Sequence, residues 1–319
     1  MLKLLSYPST PDTIWLSTGK FKVYVIVFGR VYSEMWLPKP VIAGMLLRFL
    51  EEDLGLTDVT TSLLIDEGVE AEGVVVAKED GVAAGLEEAR ILAETIGLKV
   101  EYSLKDGERF SKGDILLKLR GDARSMLVIE RTMLNILSRM CGIATATRKI
   151  VDKVREAGLN VRVAATRKIP PGLRYLDKKA VKIGGGDTHR LRLEDTILIK
   201  DNHIALVGSV RKAVEKARVN AGFTYKIEVE VTNVEEAVEA AEAGADIIML
   251  DNFTIDMVEE AVKLLEERGL RGKVILEVSG GIDEGNIVEY ASKGIDVVSL
   301  GRLTHSVKAI DLSLDVRRV

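Results

Sequence analysis

The chain has 319 residues, of which 47% are hydrophobic and 29% are charged, and its formal net charge is −4. This composition is typical of a globular protein of about two domains, and it excludes a disordered chain. The net negative charge argues against a nucleic-acid partner, and no apolar run reaches the roughly 18 residues of a membrane span. The single cysteine, Cys141, excludes an internal disulfide framework and a cysteine zinc site, so a cytoplasmic location is expected.

Residues 1–39 differ from the rest of the sequence. Seven of the 15 aromatic residues lie within the first 40 positions. Residues 22–27 predict a strand, and segments 20–27 and 30–32 could pair as an added hairpin. Alternatively, Met35 is the natural start and the first 34 residues are an upstream reading-frame artefact. Both interpretations stay open at this point.

Residues 40–157 predict an α+β region followed by long helices. The predicted elements are helices over 41–54 and 87–96, a loop over 52–61, and short antiparallel strands over 74–77, 100–104 and 115–119. Residues 123–157 keep helical spacing, and Gly142 is expected to divide them into two helices.

After Gly158 the sequence alternates between strands and helices. Strands are predicted at 161–165, 197–200, 226–231, 246–250, 273–278 and 296–300, and helices at 234–243, 255–268 and 284–293. Alternation of this kind indicates parallel βα units. Six or seven such units predict an α/β barrel with fewer than the usual eight strands.

Each predicted strand ends in polar residues or glycine. The endings are Thr166-Arg167-Lys168, Lys200-Asp201-Asn202-His203, Glu230, Asp251-Asn252, Ser279-Gly280-Gly281 and Gly301-Arg302. Because the carboxyl ends of parallel strands share one face of a barrel, these residues predict a functional face. Solvated loops are the alternative.

The charge of the chain is unevenly distributed. Residues 162–200 hold ten basic and four acidic residues, although the whole chain is acidic. This excess predicts a pocket for a strongly anionic small molecule, with His189 and Arg190 after three glycines at its edge. For Lys178, Lys179 and Lys182 the favoured interpretation is a solvated helical face.

Two further groups suggest a phosphorylated sugar. Ser279-Gly280-Gly281 and Gly301 resemble the phosphate cup of barrel enzymes, in which backbone N–H groups hold the phosphate. Glu230 and Asp251 follow neighbouring strands and suit ribose hydroxyls and a magnesium ion. Structural salt bridges are the alternative role for these two carboxylates.

The same residues fall within the motifs of a known family. The matching stretches are 51–61 (EEDLGLTDVTT), 130–135 (ERTMLN), 142–145 (GIAT), 165–168 (ATRK), 171–174 (PGLR), 179–181 (KAV), 184–186 (GGG), 189–190 (HR), 198–203 (LIKDNH), 228–230 (EVE), 250–252 (LDN) and 279–282 (SGGI). In these motifs the chain resembles the quinolinate phosphoribosyltransferases over residues 40–306.

This resemblance implies a fold and a reaction. The fold is α/β: an N-terminal α/β sandwich domain (residues 40–144 with 306–319) joined to an incomplete parallel α/β barrel (145–305), with 1–39 outside the family. The reaction converts quinolinate and phosphoribosyl pyrophosphate (PRPP) to nicotinate mononucleotide, pyrophosphate and carbon dioxide. It belongs to NAD biosynthesis and uses Mg²⁺ in a cytoplasmic homodimer or higher assembly, without membrane or nucleic acid.

The resemblance also implies roles for individual residues. Arg131 would reach into the partner subunit's site. The quinolinate site would contain Thr166, Arg167, Lys168, His189, Arg190 and Lys200. Lys168 and Lys200 would also contact pyrophosphate. Glu230 and Asp251 would take the ribose hydroxyls and Mg²⁺, directly or through water. The 5-phosphate would lie on Ser279, Gly280, Gly281 and Gly301.

Two positions depart from the family pattern, and three other functions stay open. Ile169 replaces a common threonine, and Cys141 replaces a common serine and is expected to be a buried residue at a helix end. The rival enzymes are a molybdenum-transport-associated relative of the same fold and a nicotinate phosphoribosyltransferase. The rival of another class is a lipoyl-type carrier that uses Lys78.

Overall fold

The computed structural model describes residues 13–18, 21–26 and 37–319, and the chain divides into two compact units, residues 1–39 and 40–319. In the first unit, β1 (Thr13–Thr18) pairs antiparallel with β2 (Phe21–Ile26). The predicted strand over 22–27 is confirmed as far as Ile26, but its partner is β1. The predicted pairing with 30–32 stays a prediction. Val27 and residues 30–32 lie outside the described residues.

The second unit begins with a small α/β layer. Its elements are α1 (Lys39–Leu54), α2 (Val59–Leu64), β3 (Glu70–Ala77), β4 (Gly81–Val82), α3 (Leu86–Thr95), β5 (Lys99–Ser103), β6 (Arg109–Phe110), β7 (Ile115–Asp122) and α4 (Ala123–Glu156). The predicted loop over 52–61 is wrong at both ends, because α1 continues to Leu54 and α2 begins at Val59. The Asp58 carboxylate caps α2 by accepting from the Thr61 N–H at 3.1 Å.

The remaining elements alternate between strand and helix. They are β8 (Arg162–Ala165), α5 (Arg174–Ile183), β9 (Ile197–Ile199), α6 (Asp201–Val207), α7 (Val210–Asn220), β10 (Ile227–Val231), α8 (Val234–Glu242), β11 (Ile247–Asp251), α9 (Ile255–Glu267), a 3₁₀ turn (Arg271–Lys273), β12 (Ile275–Ser279), α10 (Ile287–Ala291), β13 (Val297–Leu300), α11 (Arg302–His305) and β14 (Leu312–Arg318). All six predicted strands of this region are confirmed, although most of the elements are slightly shorter than predicted.

Two larger sheets organise this unit. A four-stranded antiparallel sheet has the order β14-β3-β7-β5. A six-stranded parallel sheet has the order β8-β13-β12-β11-β10-β9, which agrees with the expected incomplete barrel. Asp187 forms a parallel bridge with Ala164, so the 187–190 segment runs beside the edge strand β8.

The predicted break at Gly142 is wrong. Helix α4 runs unbroken for 34 residues through this position. Gly142 has another role, because a Cβ there would overlap the backbone carbonyl of Lys308. The Ile310 N–H donates to the Ser138 carbonyl at 3.0 Å, which binds the C-terminal segment to the helix. Glycine at 142 therefore permits a close approach of two backbones, and the expected boundary between residues 144 and 145 lies inside α4.

Candidate active site

One face of the six-stranded sheet carries the polar side chains. On β10, Ile227, Val229 and Val231 lie in the hydrophobic core shared with the helices. Glu228 and Glu230 alternate with them and therefore face the other side of the sheet. The same alternation places these side chains on that face: Ala164 and Arg162 on β8, Asp251 on β11, Glu277 and Ser279 on β12, and Ser299 on β13.

Four charged candidates lie close together at the carboxyl ends of the strands. The Lys200 Nζ forms an ion pair with the Glu230 carboxylate. Burial raises the pKa of Asp251, and the charge of Glu230 raises it further, while Lys200 and Lys168 act in the opposite direction. The two carboxylates and two ammonium groups therefore share one electrostatic environment.

Two arginines converge beside this cluster. Burial lowers the pKa of Arg190, and the charge of Arg167 lowers it further, so the two cations lie within electrostatic reach of each other. The Arg167 Nε is buried without a hydrogen-bond partner among the described residues. Thr166 supports the turn by accepting from the Lys168 N–H at 3.2 Å. A bound anion would supply the acceptor that Arg167 lacks.

His189 lies deeper than these groups and adopts an unusual backbone conformation, with φ of 52°. Its Nε2 is 3.2 Å from the Glu228 Oε1 and 3.4 Å from the Glu277 Oε2. Burial lowers the pKa of His189, but the hydrogen bonds to Glu228 and Glu277 outweigh burial and raise the pKa. His189 and Arg190 line a cavity of about 300 Å³ that extends to the amino ends of the strands.

The predicted phosphate cup forms a tight turn. Gly280 has a φ of 92° and Gly281 a φ of 65°. A Cβ on Gly280 would overlap the side-chain oxygen of Asn252, whose own N–H donates to the Ser279 carbonyl at 2.8 Å. Gly301 lies near Lys168, because a Cβ on Gly301 would be 3.2 Å from the Lys168 Cδ. Glycine at 280 is therefore required by both conformation and space.

Arg131 lies apart from the other candidates. It is exposed on α4 and lines a cavity of about 340 Å³ together with Glu52, Asp53 and Arg139. None of the other candidate site residues, all of which the structure describes, lines this cavity. In the described structure Arg131 therefore lines a different cavity from His189 and Arg190.

The favoured interpretation of Lys178 and Lys179 as a solvated face is wrong. Lys178 has no exposed surface, and its Nζ donates to the Thr188 carbonyl. Lys179 is also buried, and it pairs with Glu87 and with Glu88, the latter at 2.6 Å. Both lysines lie on the face of α5 that packs inward. Only Lys182 is partly exposed.

Comparison with known proteins agrees with this geometry. The family model described as the quinolinate phosphoribosyl transferase N-terminal domain matches residues 58–141, and the C-terminal domain model matches residues 143–315. The chain belongs to the quinolinate phosphoribosyltransferase family. The family contains phosphoribosyl-transferring enzymes, so this chain is an enzyme of the glycosyltransferase class.

Named relatives of this chain span a wide range of organisms. A probable nicotinate-nucleotide pyrophosphorylase [carboxylating] from Methanocaldococcus jannaschii is 52% identical over 276 residues, covering 86% of this chain and 96% of that protein. A nicotinate-nucleotide pyrophosphorylase [carboxylating] from Rattus norvegicus is 36% identical over 281 residues, covering 88% and 93%. The crystal structure of NadC from Streptococcus pyogenes has a TM-score of 0.82 at 38% identity, covering 90% of this chain and 100% of that one.

Sequence reasoning missed Glu228 and Glu277, which line the same cavity as His189 and Arg190. Glu228 lies within a quoted motif and Glu277 within a predicted strand, but neither was singled out. The available signal is a carboxylate in the middle of a short apolar strand, Ile227–Val231 or Ile275–Ser279. A buried charge is costly unless it is paired, so such a residue indicates a partner inside the fold.

Among residues 13–18, 21–26 and 37–319, no helix combines the length and apolar character needed to cross a bilayer.

Proposed function

We propose that this site transfers the phosphoribosyl group of PRPP to quinolinate and releases carbon dioxide, which yields nicotinate mononucleotide and pyrophosphate. The proposal rests on Arg167 and Arg190: the charge of Arg167 lowers the pKa of Arg190, and the buried Arg167 Nε has no hydrogen-bond acceptor among the described residues. Two adjacent arginine forks suit a substrate with two neighbouring carboxylates, because each fork can bind one carboxylate bidentately. A monocarboxylate such as nicotinate would leave one fork unpaired.

The transfer step requires stabilisation of two opposite charges. The pyridine nitrogen of quinolinate attacks C1 of the ribose while the bond from C1 to the pyrophosphate oxygen breaks. Positive charge develops on the sugar, which the carboxylates of Glu230 and Asp251 favour. Negative charge develops on the leaving pyrophosphate, and the ammonium groups of Lys168 and Lys200 stabilise it. These side chains come from separate strand ends and together hold the two reactants in place. Such positioning supplies much of the rate enhancement.

Decarboxylation follows from the new bond. Ribosylation leaves the ring nitrogen positively charged. The carbon–carbon bond to the adjacent carboxylate then breaks, its electron pair stays on the ring carbon beside that nitrogen, and carbon dioxide leaves. A proton subsequently takes the place of the carboxylate. Neither step requires a nucleophilic side chain, and Cys141 is unsuited to that role because burial raises its pKa to about 12.

Glu230 and Asp251 are also the proposed ligands of Mg²⁺. The cation prefers carboxylate oxygens and retains several waters, which fits Asp251 beside the charge of Glu230, a charge that raises the pKa of Asp251. When bound, Mg²⁺ would neutralise part of the pyrophosphate charge. In the described structure Lys200 already pairs with Glu230, so we assign Asp251 as the carboxylate that is more available to the ion.

The 5-phosphate is assigned to the turn at 279–281 and to Gly301. Support comes from the positive φ angles of Gly280 and Gly281 and from the absence of a Cβ at Gly301, where Lys168 lies nearby. Such turns present backbone N–H groups to an anion.

We also propose that two subunits complete each site. Arg131 is exposed and lies in a cavity without the other candidate residues, as expected for a side chain that serves the partner subunit. Helix α2 supplies a surface for contact, since Val59, Leu63 and Leu64 expose 62%, 78% and 74% of their surface. Apolar patches of this kind mark interaction surfaces.

The domain division and the compartment are further proposals. Strand β14 pairs with β3, which supports assigning residues 306–319 to the small domain with 40–144 and leaving 145–305 as the barrel. A single cysteine that is free and buried is compatible with the reducing cytoplasm.

Pyrophosphate release tests the proposed reaction. The protein is incubated with PRPP and Mg²⁺ and either quinolinate or nicotinate. Release with quinolinate alone supports the proposal. Release with nicotinate alone would instead indicate a nicotinate phosphoribosyltransferase, and release with neither would favour the molybdenum-associated relative. An unmodified Lys78 in the mass spectrum would exclude the carrier function.

A further inference from the structure

The His189 side chain links three parts of the substrate site. Its Nε2 lies between the Glu228 Oε1 on β10 and the Glu277 Oε2 on β12, at 3.2 and 3.4 Å. Its Nδ1 is 2.7 Å from the backbone N of Arg190, which donates to it. The ring therefore connects the interior of the sheet to the backbone of the residue that carries the candidate carboxylate-binding guanidinium.

The carboxylates that hold this ring are deeply buried. Glu228 has no exposed surface, and Glu277 exposes 2%. Glu277 is fixed by a second contact, because the Ser299 hydroxyl donates to its Oε1 at 2.5 Å. In contrast, the Glu228 Oε2 has no hydrogen-bond partner among the described residues. Buried carboxylates without ample hydrogen bonds are costly, which indicates that they serve a purpose other than stability.

Binding of a metal ion is one function that the spacing of these three side chains allows, since one oxygen from each glutamate and one nitrogen from His189 lie within 4.8 Å of one another. The hydrogen bond at Nδ1 argues against it. A metal on Nε2 would take the lone pair of that nitrogen and leave the ring proton on Nδ1, facing the Arg190 N–H at 2.7 Å. The two carboxylates raise the pKa of His189 to about 10 and so favour a second ring proton, but the Arg190 N–H occupies the position that a proton on Nδ1 would need. The geometry therefore suits a ring with its proton on Nε2, donated to the two carboxylates.

The backbone supports the same interpretation. His189 has a positive φ of 52°, which costs a side-chain-bearing residue free energy and persists only where the surroundings impose it. The His189 N–H donates to the Asp187 carboxylate at 2.8 Å, and the ring contacts fix the other side of this turn. The turn sets the direction in which the Arg190 side chain leaves the backbone.

We propose that Glu228 and Glu277 are positioning residues: they hold the His189 ring, and the ring holds the backbone turn that directs Arg190 at a carboxylate of the substrate. This proposal rests on the proposed function for the identity of the substrate. It assigns His189 a role in the support of Arg190.

Two substitutions at one position test the support. Glu277→Gln keeps an oxygen that can accept from the Nε2–H, whereas Glu277→Leu removes it. We expect Glu277→Gln to keep a quinolinate KM close to that of the parent. Glu277→Leu should raise it by about tenfold to a hundredfold through misplacement of Arg190, with the KM for PRPP little changed. Equal changes in both KM values, or no change in Glu277→Leu, would overturn the proposal.

A spectroscopic measurement on the parent protein gives an independent answer if Glu277→Leu fails to fold. The chain has only three histidines, so ¹⁵N-labelled imidazoles can be resolved and assigned through His203→Gln and His305→Gln. We expect His189 to carry its proton on Nε2 with an unprotonated Nδ1. Protonation of both nitrogens, or of Nδ1 alone, would overturn the proposal. An inactive parent with the expected His189 tautomer would instead contradict only the proposed function.

Discussion

Arg139 on α4 and Asp177 on α5 form a two-point ion pair, with Nε to Oδ1 at 2.8 Å and Nη2 to Oδ2 at 2.7 Å. The Asp177 side chain has no exposed surface. The same Nη2 donates to the Thr304 carbonyl at 3.0 Å, and the Thr304 hydroxyl donates to the Lys168 carbonyl at 2.9 Å. One guanidinium thus connects the long helix to the loop that carries a candidate pyrophosphate-binding lysine.

Arg139→Leu is expected to lower the free energy of unfolding by about 3–5 kcal/mol, because it leaves the buried Asp177 charge without its partner. Denaturant unfolding provides the measurement. The matched control is Lys263→Ala, which removes an exposed ion pair at 3.9 Å and should cost about 0–1 kcal/mol. Similar losses in the two variants would contradict the importance assigned to the Arg139–Asp177 pair.

Arg190→Ala is expected to weaken quinolinate binding by about 2–5 kcal/mol, since a substrate carboxylate loses its charged partner. The dissociation constant can be measured by calorimetry. Arg192→Ala is the control, because Arg192 is exposed in the same segment and pairs only loosely with Glu194, at 3.6 Å. A quinolinate affinity of Arg190→Ala within about twofold of the parent would rule out the assigned role.

Two glycine substitutions within helices should have opposite effects. In Gly142→Ala the new methyl group overlaps the Lys308 carbonyl, and overpacking of this kind costs about 1–3 kcal/mol. In Gly44→Ala, on α1, the new Cβ meets no described atom within 4 Å, and better helix propensity should add about 0.5–1 kcal/mol. Unfolding curves of both variants give the comparison, and a stabilised Gly142→Ala would show that the two backbones are not in close contact.

Stability should depend on pH through Asp106. Burial and the nearby charge of Glu88 raise the pKa of Asp106 to about 6, from an ordinary value of 3.8. The folded state therefore binds the proton more tightly than the unfolded state. Protonation of Asp106 therefore stabilises the folded state. This stabilisation is fully present below pH 3.8 and is lost as the pH rises through about 6.

Asp106→Asn removes this titration and keeps an oxygen that can accept from the Leu86 N–H, a bond of 3.0 Å in the parent. The stability of the variant relative to the parent is expected to increase between pH 4 and pH 7. Unfolding free energies measured at several pH values provide the test, and a constant difference across this window would contradict the raised pKa.

Much of the fold is readable from local pattern. The six parallel strands follow from short apolar runs between helical segments, and the strand ends identify Lys200, Glu230 and Asp251 as neighbours. Gly142 and Lys178 show where local pattern fails. A glycine within a helical pattern suggests a break, because the sequence does not show that the Lys308 backbone packs on Gly142. A lysine predicts an exposed side chain, because the sequence does not show that the Thr188 carbonyl accepts a hydrogen bond from the buried Lys178 Nζ.

The candidate site likewise contains some residues that the sequence indicates and others that only the fold reveals. Charge excess and glycine spacing indicate an anion site without any knowledge of tertiary contacts. Glu228 and Glu277 act through a histidine that is distant in sequence from both, so their role emerges only when the fold brings the His189 ring to these two side chains of β10 and β12. Residues that bind ligand leave a local signal of charge, whereas residues that support them leave only an isolated carboxylate in an apolar strand.

The fate of one carbon atom tests the central claim most directly. Quinolinate labelled in the carboxylate beside the ring nitrogen is supplied with PRPP and Mg²⁺, and labelled carbon dioxide is measured against pyrophosphate. We expect the two products in equal amounts, with Arg190→Ala reducing both together. Pyrophosphate release without labelled carbon dioxide, or release that needs nicotinate in place of quinolinate, would contradict the assignment of this site to decarboxylating phosphoribosyl transfer.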